Sequence, residues 1–318
     1  MDAVLRHIEL SGIVPVAIVE EEDEALPLAK TLCENGLPVI EVTLRTHKAV
    51  RVVERITKNF PDMIVGAGTV LTVEEAQTVI NAGARFLVSP GSSTKVIEYC
   101  LDQTIPIIPG VITPTEMQRA LEYGLEVVKF FPAEASGGLD YLKAVAAPFT
   151  KLKFIPTGGI EPSLLLSYLR FPKVIACGGS WMVRPEMLKT GQYEEIASLT
   201  RQAVTAVLGF ELRHIGMSAH SAADAYKAMD RLTKMIQYSV PKTEDSLFSK
   251  KNSNDVKYSS ASDFFALGTN FIKRAIAYLA QKGIVIKPET QQIQNGQLVA
   301  VDVNLEIDGF ALRLIQVS

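Results

Sequence analysis

The sequence predicts an α/β protein built on a (β/α)8 TIM barrel, followed by a smaller α+β domain. Over the first 190 residues, eight short apolar stretches that read as strands are each followed by an amphipathic helical pattern. Such alternation favours parallel crossovers, and eight repeats is the number that a closed barrel needs. The competing architecture is an open doubly wound sheet. That fold usually carries a glycine fingerprint after its first strand, and residues 13–22 hold none.

Each predicted element follows from the spacing of its apolar residues, which is two in strands and three to four in helices. The strands are predicted over Gly12–Val19, Pro38–Arg45, Met63–Val70, Phe86–Pro90, Ile105–Val111, Val127–Pro132, Lys153–Gly158 and Val174–Gly178. The helices between them are predicted over Asp23–Asn35, Ala49–Asn59, Val73–Ala82, Lys95–Asp102, Pro114–Tyr123, Tyr141–Ala147 and Pro162–Leu169. A longer helix follows over Tyr193–Val207, and Gly209 is typical of its C-cap.

The pattern changes at Gly209–Leu212, so a domain boundary is predicted there, between residues 1–209 and 210–318. In chain order, the second part is predicted to hold a strand Leu212–Ser218, a helix Ala222–Ile236, a polar stretch Pro241–Ser262, a helix Thr269–Lys282, and strands Leu298–Ile307 and Phe310–Val317. The polar stretch indicates a hairpin or loop rather than a linker between domains. The pair Asp308-Gly309 is a good signal for a hairpin turn between the last two strands.

The composition is that of an ordinary globular protein with ample material for a core. The chain has 318 residues, of which 47% are hydrophobic and 21% are charged, with a formal net charge of −3. This charge gives no support for binding nucleic acid or an anionic membrane. No apolar run approaches the ~18 residues of a membrane-spanning helix. The first ten residues carry charges and lack a signal-peptide core.

Cysteine and histidine usage gives no sign of a disulfide framework or a metal site. The cysteines Cys33, Cys100 and Cys177 are odd in number and far apart. This pattern predicts a reducing, cytoplasmic setting without disulfides. The four histidines form no strong metal motif.

A lysine inside an apolar strand is the most unusual feature of the sequence. In the stretch VVKFFP over residues 127–132, alternation places Lys129 on one face with Val127 and Phe131. Lysine is seldom fully buried, and an ammonium that leaves water tends to lose its proton. The neutral amine is a nucleophile that can form a Schiff base with a carbonyl compound. The alternative is a strand-end lysine whose amine extends to solvent.

A second predicted strand carries three polar side chains on one face. Alternation over residues 39–45 groups Glu41, Thr43 and Arg45 opposite an apolar set that the outer helices of a barrel would cover. We therefore predict that these three side chains point inward. There Glu41 can transfer protons, and Arg45 can grip a substrate carboxylate through two hydrogen bonds. A purely structural ion pair between Glu41 and Arg45 is the alternative.

Glycines and hydroxyls follow the other strands, at the ends where barrels of this kind build their active sites. The runs GAGT at residues 66–69 and SPG at 89–91 leave room for a ligand, although each alone is a weak signal. The pairs GG at residues 158–159 and GS at 179–180 follow the last two strands. Loops at these positions are the usual phosphate cradle of the fold. The alternative is that they form tight turns without a ligand.

Together, these features predict the cleavage of a carbon–carbon bond in a phosphorylated keto acid through a Schiff base. Two other functions stay open at this point. A phosphate-binding TIM-barrel isomerase or epimerase would share the glycine cradle but would not need the inward lysine. A non-catalytic keto-acid sensor would bind its ligand without releasing pyruvate.

Six motifs occur in order over about residues 1–205: EVTLRT (41–46), GAGTV (66–70), VSPG (88–91), KFFPAE (129–134), PTGGI (156–160) and GGSW (178–181). As a set they resemble the 2-keto-3-deoxy-6-phosphogluconate (KDPG) and 2-keto-4-hydroxyglutarate (KHG) aldolases. The resemblance implies a homotrimeric class I aldolase on a (β/α)8 barrel. It implies cleavage of KDPG to pyruvate and glyceraldehyde 3-phosphate, of 4-hydroxy-2-oxoglutarate to pyruvate and glyoxylate, or of both. It also implies that no metal or other cofactor is needed, because the Schiff base is covalent.

The family's roles carry over to the matching positions of this chain. The resemblance implies that Lys129 forms the Schiff base and that Glu41 is the general acid and base. It assigns the substrate contacts to Arg45, Thr69, Pro90, Phe131, Gly158, Gly159, Gly179 and Ser180. Among these, the first two would hold the pyruvate-derived end, and the last four would hold the phosphate.

The C-terminal part resembles a second family. The run RHIGM at residues 213–217 and the run GTNFxxxAxxYL at 268–279 look like parts of the two βαβββ halves of the glyoxalase/bleomycin-resistance superfamily. Metal-binding members use His and Glu at strand positions. Here His214 is present and Glu306 remains a candidate partner, but the second half begins with Asp263, so a full ligand set is not expected. We expect residues 210–318 to form a βαβββ-type domain that binds or assembles without chemistry of its own.

Overall fold

The computed structural model describes residues 1–216 and 264–317, which fall into two compact units. The first unit comprises Met1–Gly209 and Lys273–Gln281, and the second comprises the described parts of Phe210–Ile272 and Lys282–Ser318. The predicted helix Ala222–Ile236 and the predicted polar stretch Pro241–Ser262 lie outside the described residues.

The first unit alternates strands and helices along the chain, as the sequence predicts. Its strands are β1 (Ile13–Ala17), β2 (Val39–Thr43), β3 (Ile64–Gly68), β4 (Phe86–Val88), β5 (Ile107–Ile108), β6 (Gly110–Val111), β7 (Val127–Phe130), β8 (Lys153–Pro156) and β9 (Cys177–Gly179). Its helices are α1 (Ala3–Ser11), α2 (Ala25–Glu34), α3 (Ala49–Asn59), α4 (Val73–Asn81), α5 (Thr94–Asp102), α6 (Pro114–Glu122), α7 (Gly138–Ala146), α8 (Pro162–Leu169), α9 (Pro185–Lys189) and α10 (Tyr193–Leu208).

The strands of this unit form a curled, parallel half-barrel. A six-stranded sheet has the order β5-β4-β3-β2-β1-β9, and a three-stranded sheet has the order β6-β7-β8. The predicted fifth strand is divided at Pro109 into β5 and β6. Two isolated parallel bridges connect the two sheets. One pairs Phe154 of β8 with Val174, which precedes β9, and the other pairs Thr157, the residue after β8, with Gly178 of β9.

Burial on both faces accounts for the apolar character of these strands. Every residue of β2 and of β3 is buried, as expected for parallel strands that are covered by helices. On α3, Val52, Val53 and Ile56 supply the buried stripe. Their spacing of three and four places them on one side of the helix.

Local capping explains where two of the helices begin. Thr72 accepts a hydrogen bond from the amide of Glu75, and the Glu75 carboxylate accepts one from the amide of Thr72. Thr113 and Glu116 make the same reciprocal pair at the start of α6. Each capping box satisfies backbone donors that the helix itself leaves unpaired. Because these helices begin soon after β3 and β6, the caps also fix the loops at the strand ends.

A helix from the C-terminal part of the sequence contributes to the first unit. The helix α11 spans Ile272–Gln281, and its residues from Lys273 onward cluster with that unit. The buried Arg274 donates from Nε to the carbonyl of Glu9 (3.0 Å) and from Nη2 to that of Ile175 (2.8 Å). Burial lowers the pKa of Arg274 to about 10. These bonds join α11 to α1 and to the segment before β9.

The second unit contains a five-stranded sheet. Its strands are β10 (Glu211–Gly216), β11 (Phe264–Thr269), β12 (Gln292–Gln294), β13 (Gln297–Ile307) and β14 (Phe310–Gln316), in the order β10-β11-β14-β13-β12. Strands β11 and β14 are parallel, whereas the other neighbours are antiparallel. The predicted last two strands are confirmed. Asp308 and Gly309 between them both have positive φ, 51° and 84°, which is the geometry of a two-residue hairpin turn.

A buried ion pair joins two strands of this sheet. Asp302 on β13 lies directly opposite Arg313 on β14. The guanidinium donates from Nε to Oδ1 (2.5 Å) and from Nη2 to Oδ2 (3.0 Å), and it lies 4.6 Å from the ring centroid of Phe264. Two parallel hydrogen bonds of this kind hold both side chains in one geometry.

Among the helices of residues 1–216 and 264–317, each is too short or too polar to cross a membrane.

Candidate active site

A cavity of about 300 Å³ lies at the carboxyl ends of the strands of the first unit. All of the predicted site residues except Gly179 line it: Glu41, Arg45, Thr69, Pro90, Lys129, Phe131, Gly158, Gly159 and Ser180. They come from six different loops or strands. Parallel strands explain this convergence, because their carboxyl ends meet at one edge of the sheet.

The side chains of Lys129 and Glu41 meet inside this cavity. Nζ of Lys129 lies 3.4 Å from Oε1 of Glu41, and the two side chains are only 8% and 5% exposed. The same nitrogen lies 5.1 Å from the ring centroid of Phe131. The Lys129 amine thus faces the cavity together with Phe131, with which the alternation over residues 127–132 groups it.

The position of Glu41 depends on a glycine in the neighbouring strand. Glu41 on β2 pairs with Gly66 on β3, and Gly68 pairs with Thr43. A Cβ built on Gly68 would lie 2.1 Å from Oε1 of Glu41, which no side chain can tolerate. The second glycine of the GAGT run therefore makes room for the carboxylate.

The other two polar residues of β2 and its following turn have different surroundings. Thr43 donates from Oγ1 to the carbonyl of Ala17 at 3.1 Å. Arg45 lies two residues beyond the end of β2, is exposed, and lines the cavity mouth. Within the described residues, Arg45 forms no hydrogen bond or ion pair. The alternative of a structural pair between Glu41 and Arg45 is therefore wrong, since Glu41 faces Lys129 instead.

Thr69 holds an uncommon backbone conformation at the end of β3. Its φ is 61°, in the left-handed region that a β-branched residue rarely adopts. Residues in such conformations cost free energy and are frequent at ligand-binding sites. On the next strand, Ser89 donates to the carbonyl of Gly91 at 2.6 Å, which fixes the turn that carries Pro90.

The turn at Gly158 and Gly159 is attached to the segment that follows Lys129. Both glycines have positive φ, 97° and 80°, which favours glycine over any other residue. The amide of Ala133 donates to the carbonyl of Thr157 at 2.8 Å, and the amide of Glu134 donates to that of Gly158 at 3.1 Å. The turn is thus held against the segment that begins four residues after Lys129.

Gly179 and Pro132, two residues of the six sequence motifs, lie outside the cavity lining. Gly179 faces the indole of Trp181, where an added Cβ would lie 1.8 Å from the ring, whereas its neighbour Gly178 lines the cavity. Pro132, which follows Phe131 in the KFFPAE motif, is exposed and does not line the cavity. Only Phe131 of that pair shields the lysine.

Sequence reasoning also missed four lining residues. Val16, Ile18, Thr157 and Ile160 line the same cavity. The first two carry no polar atom that would distinguish them from core residues. The other two flank the glycine pair at 158–159, so their positions in that motif were the available signal.

No group of three His, Cys, Asp or Glu side chains that could hold a metal ion occurs within residues 1–216 and 264–317. His214 makes an edge contact with the ring of Phe264, with centroids 5.8 Å apart. Glu306 is exposed on β13.

This geometry suits an enzyme that handles carbonyl acids through a covalent amine adduct. The amine and the carboxylate are buried and in reach of each other, which is the usual arrangement of a nucleophile with its acid–base partner. The arginine at the mouth offers a planar donor pair to an anion.

Comparison with known proteins places the chain in a family. The family model described as "Aldolase: KDPG and KHG aldolase" matches residues 2–199. The chain is 43% identical over 207 residues to the 2-dehydro-3-deoxy-phosphogluconate aldolase of Treponema pallidum (strain Nichols), covering 65% of this chain and 99% of the relative. It is 45% identical over 192 residues to the KHG/KDPG aldolase of Escherichia coli (strain K12), covering 60% and 90%.

A solved structure shows the same similarity. It is the KDPG aldolase from Legionella pneumophila with pyruvate captured at low pH as a covalent carbinolamine intermediate. It is 39% identical to this chain, has a TM-score of 0.62, and the match covers 64% of this chain and 98% of that protein.

The protein is therefore an aldolase, that is, a carbon–carbon lyase, with the aldolase-type α/β fold. The chain belongs to the KDPG and KHG aldolase family. The resemblance drawn from the six sequence motifs is confirmed.

Proposed function

We propose that this chain is a class I aldolase in which Lys129 forms a Schiff base with the substrate. It cleaves KDPG to pyruvate and glyceraldehyde 3-phosphate, and 4-hydroxy-2-oxoglutarate to pyruvate and glyoxylate. The observation that carries this proposal is the buried Lys129 amine, 3.4 Å from the Glu41 carboxylate in a cavity at the strand ends. The names of the relatives and the covalent pyruvate adduct of the Legionella protein support it.

The first half of the reaction builds an electron sink. The neutral amine of Lys129 attacks the C2 carbonyl of the keto acid and gives a carbinolamine. Loss of water from that intermediate gives an iminium ion, and Glu41 relays the protons, directly or through a water molecule.

The second half breaks the carbon–carbon bond. Glu41 takes the proton of the C4 hydroxyl, the C3–C4 bond breaks, and its electron pair flows into the iminium to give an enamine. The aldehyde product leaves. Protonation of the enamine at C3 and hydrolysis of the resulting iminium release pyruvate and free Lys129. General acid–base help of this kind is typically worth ~10²–10⁴-fold in rate.

Recognition of the two substrate ends uses different loops. Arg45 and Thr69 hold the carboxylate of the pyruvate-derived end at the cavity mouth. Backbone groups around Gly158–Gly159 and Gly179–Ser180 hold the phosphate, and Phe131 and Pro90 form the wall between the two ends. The left-handed backbone of the first glycine pair supports this role, because it lets amides approach an anion closely.

The two competing functions explain fewer observations. An isomerase or epimerase shares the glycine turn but gives no reason for the Lys129–Glu41 contact. A keto-acid sensor needs neither group as an acid or nucleophile. Membership of the aldolase family also favours the lyase.

Architecture and assembly complete this proposal. We infer a closed (β/α)8 barrel over residues 1–209, supported by the bridges from Phe154 and Thr157 that link the two sheets. We infer a homotrimer that needs no metal or cofactor, on the basis of the family resemblance. A cytoplasmic setting is supported by the three free cysteines.

For residues 210–318 we propose a glyoxalase/bleomycin-resistance-like domain that binds or assembles without chemistry. Its support is the order of elements over residues 264–316, which is strand, helix and three strands, with the first strand beside the last. The helix in this order is α11, which from Lys273 onward clusters with the first unit, so the sheet alone represents the domain within the second unit. This is the βαβββ pattern that the sequence resemblance implies.

Pyruvate release tests the proposed reaction directly. A lactate dehydrogenase-coupled assay should detect pyruvate from both keto acids with the wild-type chain, and none above background with Lys129→Met. The matched control is Lys153→Met, because Lys153 lies on the adjacent strand β8 and its ammonium donates to the carbonyl of Pro172, away from the cavity lining. Full activity in Lys129→Met, or no pyruvate from either substrate with wild type, contradicts the proposal.

A further inference from the structure

Five residues after Lys129, Glu134 makes a contact that the reaction itself does not require. Its carboxylate Oε1 accepts a hydrogen bond from the hydroxyl of Tyr168. Tyr168 lies on α8 and is 1% exposed, among the largest fully buried side chains of the described chain. Burial, followed by the bond to Glu134, raises the pKa of Tyr168 above its usual value, so the hydroxyl stays a donor throughout the working pH range.

The backbone and stem of Glu134 are tied to the predicted phosphate turn. The amide of Glu134 donates to the carbonyl of Gly158. A Cβ built on Gly159 would lie 2.7 Å from Cβ of Glu134, so the glycine and the glutamate are in close contact. The glutamate therefore touches both residues of the turn.

These contacts connect the Gly158–Gly159 turn, helix α8 and Glu134 in a closed ring of interactions. The Gly158–Gly159 turn leads directly into α8, which begins at Pro162 and carries Tyr168. The hydroxyl of Tyr168 returns to Glu134, whose amide holds the turn. The Glu134 carboxylate also lies near Gly138 at the start of α7, where a negative charge is favoured. Its charge is thus directed toward Tyr168 and α7.

We propose that Glu134 and Tyr168 are positioning residues that set the geometry of the Gly158–Gly159 turn, and that they thereby determine the preference for phosphorylated keto acids. This inference rests on the proposed function, because it assumes that the turn binds the phosphate. A phosphate needs several donors in one arrangement. The shorter, unphosphorylated 4-hydroxy-2-oxoglutarate does not extend to the turn, so its binding is independent of the pair.

The test is the split of KM and kcat between the two keto acids. Tyr168→Phe removes the hydroxyl and should raise KM for KDPG by about three- to tenfold, which is the scale of one typical net hydrogen bond, because the hydroxyl acts on the phosphate only through the turn. Its kcat and its KM for 4-hydroxy-2-oxoglutarate should stay within about twofold of wild type. Glu134→Ala should give the same pattern with a larger rise. Glu134→Gln keeps an oxygen acceptor for the hydroxyl and should lie close to wild type.

A matched control exists on the outer face of the same unit. The hydroxyl of Tyr123 donates to the Glu98 carboxylate at 3.0 Å, and this hydrogen bond is exposed to solvent. Tyr123→Phe removes the same kind of bond away from the turn and should leave both substrates unchanged. If Tyr168→Phe is poorly folded, the two Glu134 variants provide the test instead. Competitive inhibition by inorganic phosphate should weaken in Glu134→Ala and stay at the wild-type value in Glu134→Gln.

The outcomes separate this inference from the function on which it rests. Equal changes in KM for both substrates, or a fall in kcat for both, show a merely structural pair and overturn the inference. Unchanged KM for KDPG in Glu134→Ala overturns it too. In each of these cases the wild type still releases pyruvate, so the proposed aldolase reaction stands. A wild-type protein that releases no pyruvate from either keto acid would contradict both this inference and the proposed function.

Discussion

Two buried ion pairs in residues 1–216 and 264–317 differ in geometry. In the first unit, Lys129 and Glu41 share a single contact of 3.4 Å beside a cavity, with side chains 8% and 5% exposed. In the second unit, Arg313 and Asp302 share two hydrogen bonds of 2.5 and 3.0 Å across facing strands, with side chains 5% and 11% exposed. Burial alone does not distinguish them.

The difference shows which kind of buried pair is suited to chemistry. A bidentate arginine–carboxylate pair holds both partners in place and commits their hydrogen-bonding groups to each other. A lysine with one long contact and an adjoining cavity has room for a substrate carbonyl at its nitrogen. Breaking the first pair should therefore change activity, and breaking the second should change stability.

Among the changes that test this comparison, Glu41→Gln should have the largest effect on activity. The amide cannot relay protons, so kcat should fall by ~10²–10⁴-fold, the usual worth of a general acid–base. The melting temperature should stay close to that of wild type, because the cavity allows water to solvate Lys129. Steady-state kinetics and thermal melting of the same preparation measure kcat and the melting temperature. A large loss of stability with intact kcat would show that the Lys129–Glu41 pair serves stability rather than activity.

The opposite result is expected for Asp302→Ala. It leaves Arg313 buried without its carboxylate partner, which should lower the free energy of unfolding by about 3–5 kcal/mol. Denaturant titration of the full chain measures this, and the kcat of the folded fraction should not change. The double variant Asp302→Leu/Arg313→Met is the control, because an apolar replacement of both partners should recover most of the loss. A loss of kcat in folded Asp302→Ala would remove the distinction between the two pairs.

A smaller effect is expected for Arg45→Lys. Lysine keeps the charge but loses the planar donor pair, so KM should rise by about tenfold, in line with one lost charge-assisted hydrogen bond. The rise should be equal for both keto acids, since both carry the carboxylate next to the carbonyl. Arg51→Lys on the exposed face of α3 is the matched control. A rise for the phosphorylated substrate alone would place Arg45 at the wrong end of the ligand.

The smallest effect is expected from thiol reagents. Burial raises the pKa of Cys33 and of Cys100 to about 11, and that of Cys177 to about 12. At pH 7.5 all three are therefore protonated thiols, and alkylation needs the thiolate. Iodoacetamide should leave turnover unchanged over an hour, as followed by the pyruvate assay with mass analysis of the cysteine peptides. Inactivation that tracks labelling of one cysteine would show that a thiol matters for the reaction.

The sequence carried most of the information about Lys129 and Glu41. Period-2 alternation fixed which face each side chain takes, and the helices outside the strands required the apolar face. The same logic could not find Tyr168, because it lies on α8 in a run of mostly apolar residues and meets Glu134 across 34 positions. Such a contact depends on how helix α8 packs against the segment that follows β7, and no local sequence pattern encodes that packing.

Other differences also have physical causes. Pro109 interrupts the predicted fifth strand because it has no amide to donate to the ladder. The strand β12 (Gln292–Gln294) went unpredicted since its polar residues lie at a sheet edge and show no apolar alternation. The contribution of α11 to the first unit rests on Arg274 reaching two backbone carbonyls far away in sequence. The spacing of apolar residues predicts which face of α11 is buried, but not what that face packs against.

Borohydride reduction in the presence of pyruvate tests the central claim most directly. The Lys129 amine, held beside Glu41 in the cavity, should trap pyruvate as a three-carbon adduct that borohydride makes permanent. Peptide mass analysis should find that adduct on Lys129 alone, and the Glu41→Gln variant should still form it at a lower rate. An adduct on a different lysine, or no adduct in an enzyme that releases pyruvate, would contradict the account.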